Sequence, residues 1–198
     1  MDLGIKGRVA LVTGGARSLG KADCFALAAE GCKIVVLDLN AEGAPGTAAE
    51  ITGQGGYARG YEVDITDRGR LADAVARAQS EVGPVDICVN NAGIIYTMGQ
   101  LKDMQDAEWD MNLQVNLTGT YNVTKAVFGG MRERRWGRII CMASIAGLMG
   151  GFGQTAYATG KMGLIGFARS VALEGARYND TSNVIAPGII GPNADLSP

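Results

Sequence analysis

A tyrosine and a lysine lie four residues apart in Tyr157-Ala158-Thr159-Gly160-Lys161, a spacing that puts both side chains on one face of a helix. A phenol is a weak proton shuttle near neutral pH, and a fixed ammonium beside it favours the phenolate form. The chain contains no histidine, which excludes Ser-His-Asp and Cys-His catalysis and every histidine-ligated metal site. The pair could therefore supply acid–base chemistry, although an isolated Y-x-x-x-K is also common on helix surfaces.

A serine stands 13 residues before this tyrosine, at the end of the apolar run Ile139-Ile140-Cys141-Met142-Ala143. Such a run is typical of a buried strand, and ligands bind at the carboxyl ends of strands in open α/β sheets. We therefore predict that Ser144 reaches the same site as the tyrosine. The alternative is that its hydroxyl only caps a helix or turn.

A glycine-rich turn near the N-terminus favours nucleotide binding. The segment Thr13-Gly14-Gly15-Ala16-Arg17-Ser18-Leu19-Gly20 follows an apolar run and opens a helical pattern. Glycines let the backbone approach a pyrophosphate, which the helix N-terminus attracts. The next apolar run ends at Asp38, whose carboxylate can accept both ribose hydroxyls of NAD and repels a 2′-phosphate. A plain structural turn and a solvated acid are the alternatives.

Short apolar runs alternate with longer helical patterns along the whole chain. The pattern predicts strands at 9–13, 33–38, 58–63, 86–90, 137–143 and 183–186, and helices at about 19–30, 42–53, 67–82, 107–134 and 155–177. Thr66 is the predicted cap of the third helix, and Gly83-Pro84 ends it. We expect an α/β fold in which helices flank a Rossmann-type, doubly wound parallel sheet, with a single domain over residues 1–198.

Composition supports a packed core and argues against several classes of partner. Of the 198 residues, 47% are hydrophobic and 19% charged, and the net charge of −2 argues against a nucleic-acid surface. Four cysteines without C-x-x-C spacing predict reduced, buried thiols rather than disulfides or a metal site. The uncharged stretch 139–160 is long enough to span a bilayer, but its glycines and polar residues favour a strand, a loop and a helix start. We expect a cytoplasmic protein without a signal peptide or a membrane partner.

Taken together, these motifs resemble those of the short-chain dehydrogenase/reductase family, in the branch that carries T-G-x-x-x-G-x-G and Y-x-x-x-K. Three further matches follow in the family's order: Asp64 in Val63-Asp64-Ile65, the segment Asn90-Asn91-Ala92-Gly93, and the pair Pro187-Gly188. The likeness runs from Gly7 to Gly188. It implies an NAD(P)-dependent oxidoreductase that interconverts a secondary alcohol and a ketone by hydride transfer.

The resemblance also implies roles for individual residues. Tyr157 would be the general acid in reduction and the base in oxidation, and Lys161 would bind the nicotinamide ribose and favour the phenolate. Ser144 would hydrogen-bond the substrate oxygen, and Asn116 would hold a water in the proton relay. The implied cofactor site comprises Gly14, Arg17, Ser18, Leu19, Gly20, Asp38, Leu39, Asp64, Ile65, Asn91, Ala92, Gly93, Tyr157, Lys161, Pro187, Gly188 and Ile190.

Two positions bear on the choice of cofactor. Family members that use NADP often carry a basic residue just before the second glycine of the first motif, and Arg17 occupies that position. Asp38 argues for NAD, because a carboxylate beside a doubly charged phosphate is directly repelled. We therefore expect NAD rather than NADP. Ser18 replaces the second glycine itself, and we expect it to weaken pyrophosphate binding modestly.

The end of the chain also departs from the family pattern. Relatives usually continue through a substrate lid, a helix and a seventh strand, so we expect a C-terminal segment to be missing; the alternative is a protein that works without its lid. Pro192 stands where relatives often have a threonine. Relatives often form dimers or tetramers through the helices that correspond to 107–134 and 155–177, so a homo-oligomer is expected. The expected pocket walls are apolar and suggest an apolar substrate body: Ile94, Ile95, Tyr96, Ala146, Met149 and Ile189.

Two other functions stay open at this point. A catalytically silent dinucleotide-binding or scaffold protein would share the fold, but it would not need the Asn, Ser, Tyr and Lys set. An S-adenosylmethionine methyltransferase would share the glycine-rich turn and the ribose-binding acid, with no use for the Tyr–Lys pair. The sequence does not give the substrate or the physiological direction of the reaction.

Overall fold

Six parallel strands form one sheet at the centre of the molecule. The computed structural model describes residues 2–188 and 190, with β1 Val9–Thr13, β2 Lys33–Asp38, β3 Tyr57–Glu62, β4 Ile87–Asn90, β5 Gly137–Met142 and β6 Asp180–Ile185. The strand order is β3-β2-β1-β4-β5-β6, and each neighbouring pair is parallel. The order reverses between β1 and β4, and ligands bind at such a switch point, beyond the carboxyl ends of the strands. The predicted fold class is confirmed.

Helices connect successive strands and cover the sheet. They are α1 Ser18–Ala29, α2 Gly43–Gly53, α3 Arg68–Glu81, α4 Asp106–Leu113, α5 Thr120–Arg134, α6 Ile145–Met149 and α7 Thr155–Gly175. A π-helical segment, Gln114–Gly119, joins α4 to α5, and short 3-10 turns occur at Leu101–Asp103 and Ala176–Tyr178. No helix in the described part of the chain is long and apolar enough to cross a membrane.

The core has two layers, one on each face of the sheet. Alternate residues of β1 and β2 point to opposite faces, so residues 9–12 of β1 and 34–37 of β2 are all apolar and buried. One layer packs these strands against α1 and α2, and the other packs them against α3, α5 and α7. The four cysteines are buried and free, as predicted.

Three local predictions need correction. The start of α3 is capped by Asp67 instead of Thr66, because the Asp67 carboxylate accepts the backbone N–H groups of Gly69 and Arg70. Strand β6 begins at Asp180, three residues before its predicted start, since main-chain pairing with β5 overrides the polar sequence there. The helix predicted at 107–134 is divided by the π-helical segment.

Candidate active site

A pocket of about 920 Å³ lies beyond the carboxyl ends of the central strands. We call it the nucleotide pocket. Twelve of the residues predicted to bind the cofactor line it: Gly14, Arg17, Ser18, Leu19, Gly20, Asp38, Leu39, Asp64, Ile65, Asn91, Ala92 and Gly93. The structure therefore brings together the first motif, the ends of the second and third strands, and the loop after the fourth.

The glycine-rich turn is held in a tight conformation. Gly14 has φ +68°, and a Cβ there would lie 2.9 Å from the side-chain nitrogen of Asn91. That nitrogen donates to the carbonyl oxygens of Thr13 and Gly14, at 3.0 and 3.2 Å. A Cβ at Gly20, in the first turn of α1, would collide with the Gly14 carbonyl. These contacts explain why glycine is needed at both positions.

Ser18 adopts φ +51°, in the left-handed region that favours glycine. This conformation costs a residue with a side chain about 1–2 kcal/mol. Serine in place of the family's glycine is therefore strained before any ligand binds. The sequence alone gave no sign of this cost.

Two acidic groups, Asp38 and Asp64, line the nucleotide pocket where β2 and β3 end. The Asp38 carboxylate accepts the backbone N–H groups of Ala16, at 3.0 Å, and of Asn40, at 2.9 Å, so it joins the glycine-rich turn to the end of β2. Asp64 accepts the N–H and the hydroxyl of Thr66 at 2.8 and 2.7 Å. Arg17 is exposed at the rim. The carboxylates outnumber the guanidinium group two to one.

A second pocket of about 440 Å³ adjoins the first and shares four lining residues with it. We call it the chemical pocket. It is lined by the predicted Ser144, Tyr157, Lys161, Pro187, Gly188 and Ile190. Of the expected apolar walls, Ile94, Ile95 and Ala146 line it, whereas Tyr96 lines the nucleotide pocket instead.

Met149 was predicted as a wall of this pocket and is not one. It is the last residue of the short helix α6, is 79% exposed and is not among the residues that line the cavity. Ile189 and Pro192 lie outside the described residues.

Ser144 is both a helix cap and a pocket residue. Its Oγ accepts the backbone N–H of Ala146 at 3.2 Å, which caps the start of α6. The hydroxyl hydrogen is not used in that bond and can be donated to a substrate oxygen in the chemical pocket. Tyr157, in the first turn of α7, lines the same cavity.

Lys161 is a buried cation, only 4% exposed. Its Nζ donates to the carbonyl oxygen of Met142 at 2.7 Å and lies 5.7 Å from the centre of the Tyr157 ring. Burial lowers the pKa of Lys161 from its usual 10.5 to about 8, because an ammonium group loses hydration there. The spacing of four residues along α7 thus brings lysine and tyrosine together as predicted.

Asn116 lines neither pocket in the described part of the chain. It is fully buried in the π-helical segment, where its amide forms two hydrogen bonds with the backbone of Ile94: Oδ1 accepts the N–H at 3.0 Å and Nδ2 donates to the C=O at 2.8 Å. A Cβ at Gly93 would lie 2.7 Å from this Oδ1 and 3.0 Å from Lys161 Nζ. In the structure, the Asn116 side chain therefore fixes the loop after β4 beside the lysine.

Sequence reasoning missed two features of the site. Gln154 lines the chemical pocket just before α7, and its position three residues before the tyrosine was the available signal. Gly160, in α7, is the second feature. Its missing side chain lets α7 approach the π-helical segment, since a Cβ there would lie 3.3 Å from that of Asn116.

Comparison with known proteins gives a consistent result. A family model described as short chain dehydrogenase matches residues 8–196. The chain is 39% identical to (2S)-[(R)-hydroxy(phenyl)methyl]succinyl-CoA dehydrogenase subunit BbsD of Thauera aromatica, and 38% identical to 3-oxoacyl-[acyl-carrier-protein] reductase FabG of Escherichia coli strain K12. Each match covers 95% of this chain and 75% of the relative.

A solved structure, that of NAD+-bound xylitol dehydrogenase, superimposes with a TM-score of 0.93 at 34% identity. The match covers 97% of this chain and 74% of that one.

Proposed function

The chain belongs to the short-chain dehydrogenase family, and from that premise we propose that it interconverts a secondary alcohol and a ketone by hydride transfer, with NAD(H) as coenzyme. The observation that carries the proposal is that Ser144, Tyr157 and Lys161 line one pocket, and that this pocket shares four lining residues with the nucleotide pocket. A silent binding protein of this fold would need only the nucleotide pocket.

The described residues fit a dinucleotide. The glycine-rich turn leaves no room for a Cβ at Gly14 or Gly20, so a ligand can approach the backbone at the N-terminus of α1. The cavity in front of this turn measures about 920 Å³. When bound, the nicotinamide ring accepts or supplies the hydride, and the protein's task is orientation and proton transfer.

NAD is favoured over NADP by charge. Asp38 and Asp64 both line the nucleotide pocket, and their carboxylates would repel a 2′-phosphate. Arg17 at the rim is exposed, so its attraction for such a phosphate is screened by solvent. The NAD+-bound state of the related xylitol dehydrogenase structure supports the same choice.

Proton transfer is the part of the reaction that falls to side chains. Tyr157 gives its hydroxyl proton to the ketone oxygen in reduction, or takes the alcohol proton in oxidation. Ser144 donates its free hydroxyl hydrogen to the same substrate oxygen and so fixes its position. The buried charge of Lys161, 5.7 Å from the tyrosine ring, stabilises the phenolate left after transfer. We propose that Asn116 acts as a positioning residue: through its two hydrogen bonds to Ile94 it holds the loop after β4, which lies between Asn116 and Lys161.

Replacing Tyr157 with phenylalanine tests the catalytic role. The variant removes the exchangeable proton and keeps the ring, so turnover should fall by about 10³-fold or more while NADH binding changes less than about twofold. Tyr121→Phe, which removes an exposed hydroxyl on α5, is the matched control and should retain activity. Retained turnover in Tyr157→Phe would contradict the mechanism, and an inactive wild type that binds NADH tightly would favour the silent binding protein.

Calorimetric titration with NADH and NADPH tests the cofactor choice. We expect NADH to bind at least tenfold more tightly than NADPH. Asp38→Asn should reduce this difference in affinity, and Arg17→Ala should leave the preference for NADH in place. Tighter binding of NADPH would mean that the arginine outweighs the aspartate and that the choice is wrong.

We further propose a cytoplasmic homodimer or homotetramer. Met162 and Leu173 are exposed apolar residues on α7, one of the helices through which relatives are expected to associate. Four buried free thiols suit a reducing compartment. Sedimentation of the wild type should give a mass of two or four chains, and Leu173→Glu should lower it. A monomeric wild type would refute this assembly.

A further inference from the structure

Exposed apolar side chains occur on two of the segments that supply walls of the chemical pocket. One segment is the loop after β4, which contributes Ile94 and Ile95 to the cavity, and the other runs from α6 to the start of α7. A hydrogen bond joins the two segments, from the Gly99 N–H to the Gly153 carbonyl at 3.0 Å. Beyond the walls they expose a set of residues that we call the apolar rim: Met98, Leu101, Leu148, Met149 and Phe152.

The rim residues are unusually accessible for their size. Phe152 is 86% exposed and Met149 is 79% exposed. Single exposed apolar residues need no explanation, but five on two joined segments beside a cavity form a patch of the kind that marks a ligand groove or an interface. Because the rim residues follow the wall residues along the same two segments, a ligand that fills the cavity and extends beyond it would meet them.

The two segments themselves carry no charged residue before Lys102 and Asp103, which follow Leu101 in its 3-10 turn. Residues 87–101 and 139–160 contain no Asp, Glu, Lys or Arg. The one cation that lines the chemical pocket in the described part of the chain is Lys161, which is buried and bound to the Met142 carbonyl. Because this one ammonium group already serves the Tyr157 phenolate in the proposed mechanism, an anionic group close to the reacting carbon would lose water and gain only a shared counter-charge.

We propose that the apolar rim binds an unbranched apolar tail of the substrate, so that the preferred substrates are ketones or secondary alcohols with a medium-length alkyl tail and no charge near the reacting carbon. This inference rests on the proposed function and specifies its substrate class. The reacting carbon lies at Ser144 and Tyr157, and the tail passes out of the cavity between Met149 and Phe152 on one side and Met98 on the other.

A series of 2-alkanones from 2-butanone to 2-decanone tests the tail, with NADH as reductant. These probes carry nothing but the reacting carbonyl and the alkyl chain. Full burial of one methylene increases binding about fourfold, so a half-covered tail should raise kcat/KM about twofold per added carbon. The rise should stop when the tail extends past the rim.

Variants of the rim test where the tail lies. Phe152→Ser and Met149→Ser should each lower kcat/KM for 2-decanone about fivefold or more and leave that for 2-butanone within twofold. Leu3→Ser is the matched control, because it removes an apolar side chain that is 54% exposed ahead of β1, at the amino ends of the strands and away from the pocket. It should keep the ratio between the two substrates unchanged.

A second pair of probes tests the charge argument. 4-Oxopentanoate has the same number of carbons as 2-pentanone and carries a carboxylate two carbons from the ketone. We expect kcat/KM for the carboxylate to be at least tenfold lower. Equal values would overturn this part of the inference.

The outcomes separate the inference from the proposed function. Turnover that does not depend on tail length would overturn the inference and leave the proposed function standing. Absence of turnover with every probe would refute the proposed function. In that case calorimetry of the NADH complex would test the inference by itself, and equal affinity for 2-butanone and 2-decanone would refute binding of the tail at the apolar rim. A flat series in which Phe152→Ser also lowers the sedimenting mass would assign the rim to contact between copies.

Discussion

Replacing Lys161 with methionine measures how strongly the fold desolvates the cation that the proposed mechanism requires. Burial lowers the pKa of Lys161 to about 8, whereas in the unfolded chain it is near 10.5. Between these values the unfolded state binds more protons than the folded state, so the free energy of unfolding rises with pH. At pH 7 both states are protonated and the gain is absent. From pH 7 to 9.5 the two pKa values imply that the free energy of unfolding of the wild type rises by about 2 kcal/mol through this group. The Lys161→Met variant has no such rise, because methionine does not titrate.

Urea denaturation of both proteins at pH 7 and pH 9.5, without coenzyme, measures this difference. The stability of the wild type relative to Lys161→Met should increase by about 2 kcal/mol over the interval. Lys125→Met, which removes a solvent-exposed lysine from α5, should differ from the wild type equally at both pH values. A difference for Lys161→Met that stays constant to within about 0.5 kcal/mol would show that the lysine is hydrated and that burial does not tune it.

Three further substitutions test other parts of the structure. Ser18→Gly should raise the free energy of unfolding by about 1 kcal/mol in urea denaturation, because the residue has φ +51°; an unchanged midpoint would contradict the strain. Gly20→Ala should weaken NADH binding more than about tenfold in calorimetry, whereas Gly129→Ala in open space on α5 should leave it unchanged. Asp180→Val should stabilise the fold by about 1–3 kcal/mol, since both carboxylate oxygens are buried without a hydrogen-bond partner among the described residues. Burial raises the pKa of Asp180, so the folded state binds its proton more tightly than the unfolded state, and the wild type loses stability as pH rises. The gain in free energy of unfolding of Asp180→Val over the wild type, measured in urea, should therefore be larger at pH 7 than at pH 4.

The sheet was predictable because its signals are local and strong. Residues 9–12 of β1 and 34–37 of β2 are buried on both faces of the sheet, so they form uninterrupted apolar runs that are easy to recognise. Strand β6 was less predictable. It lies at one edge of the described sheet and has the polar sequence Asp180-Thr181-Ser182-Asn183, which long-range pairing with β5 holds extended.

The site shows the same division between local and long-range information. Helical spacing brings Tyr157 and Lys161 together, and that spacing is visible in the sequence. The partner of the lysine is a backbone carbonyl, which no side-chain pattern can indicate. The π-helical segment around Asn116 was likewise missed, because helix propensity and apolar spacing do not distinguish it from the α-helices on either side.

The double hydrogen bond between Asn116 and Ile94 has a consequence for local opening of the protein. The Ile94 amide lies in an irregular loop, where backbone hydrogens usually exchange rapidly with deuterated solvent. Here its acceptor is a side chain buried among helices 22 residues further along the chain. The hydrogen can exchange only when that packing separates, so this loop amide should be protected like an amide inside the sheet. The loop beside the lysine and the helical segment would then open together as one cooperative unit, and the geometry around Lys161 would persist for as long as that unit stays closed.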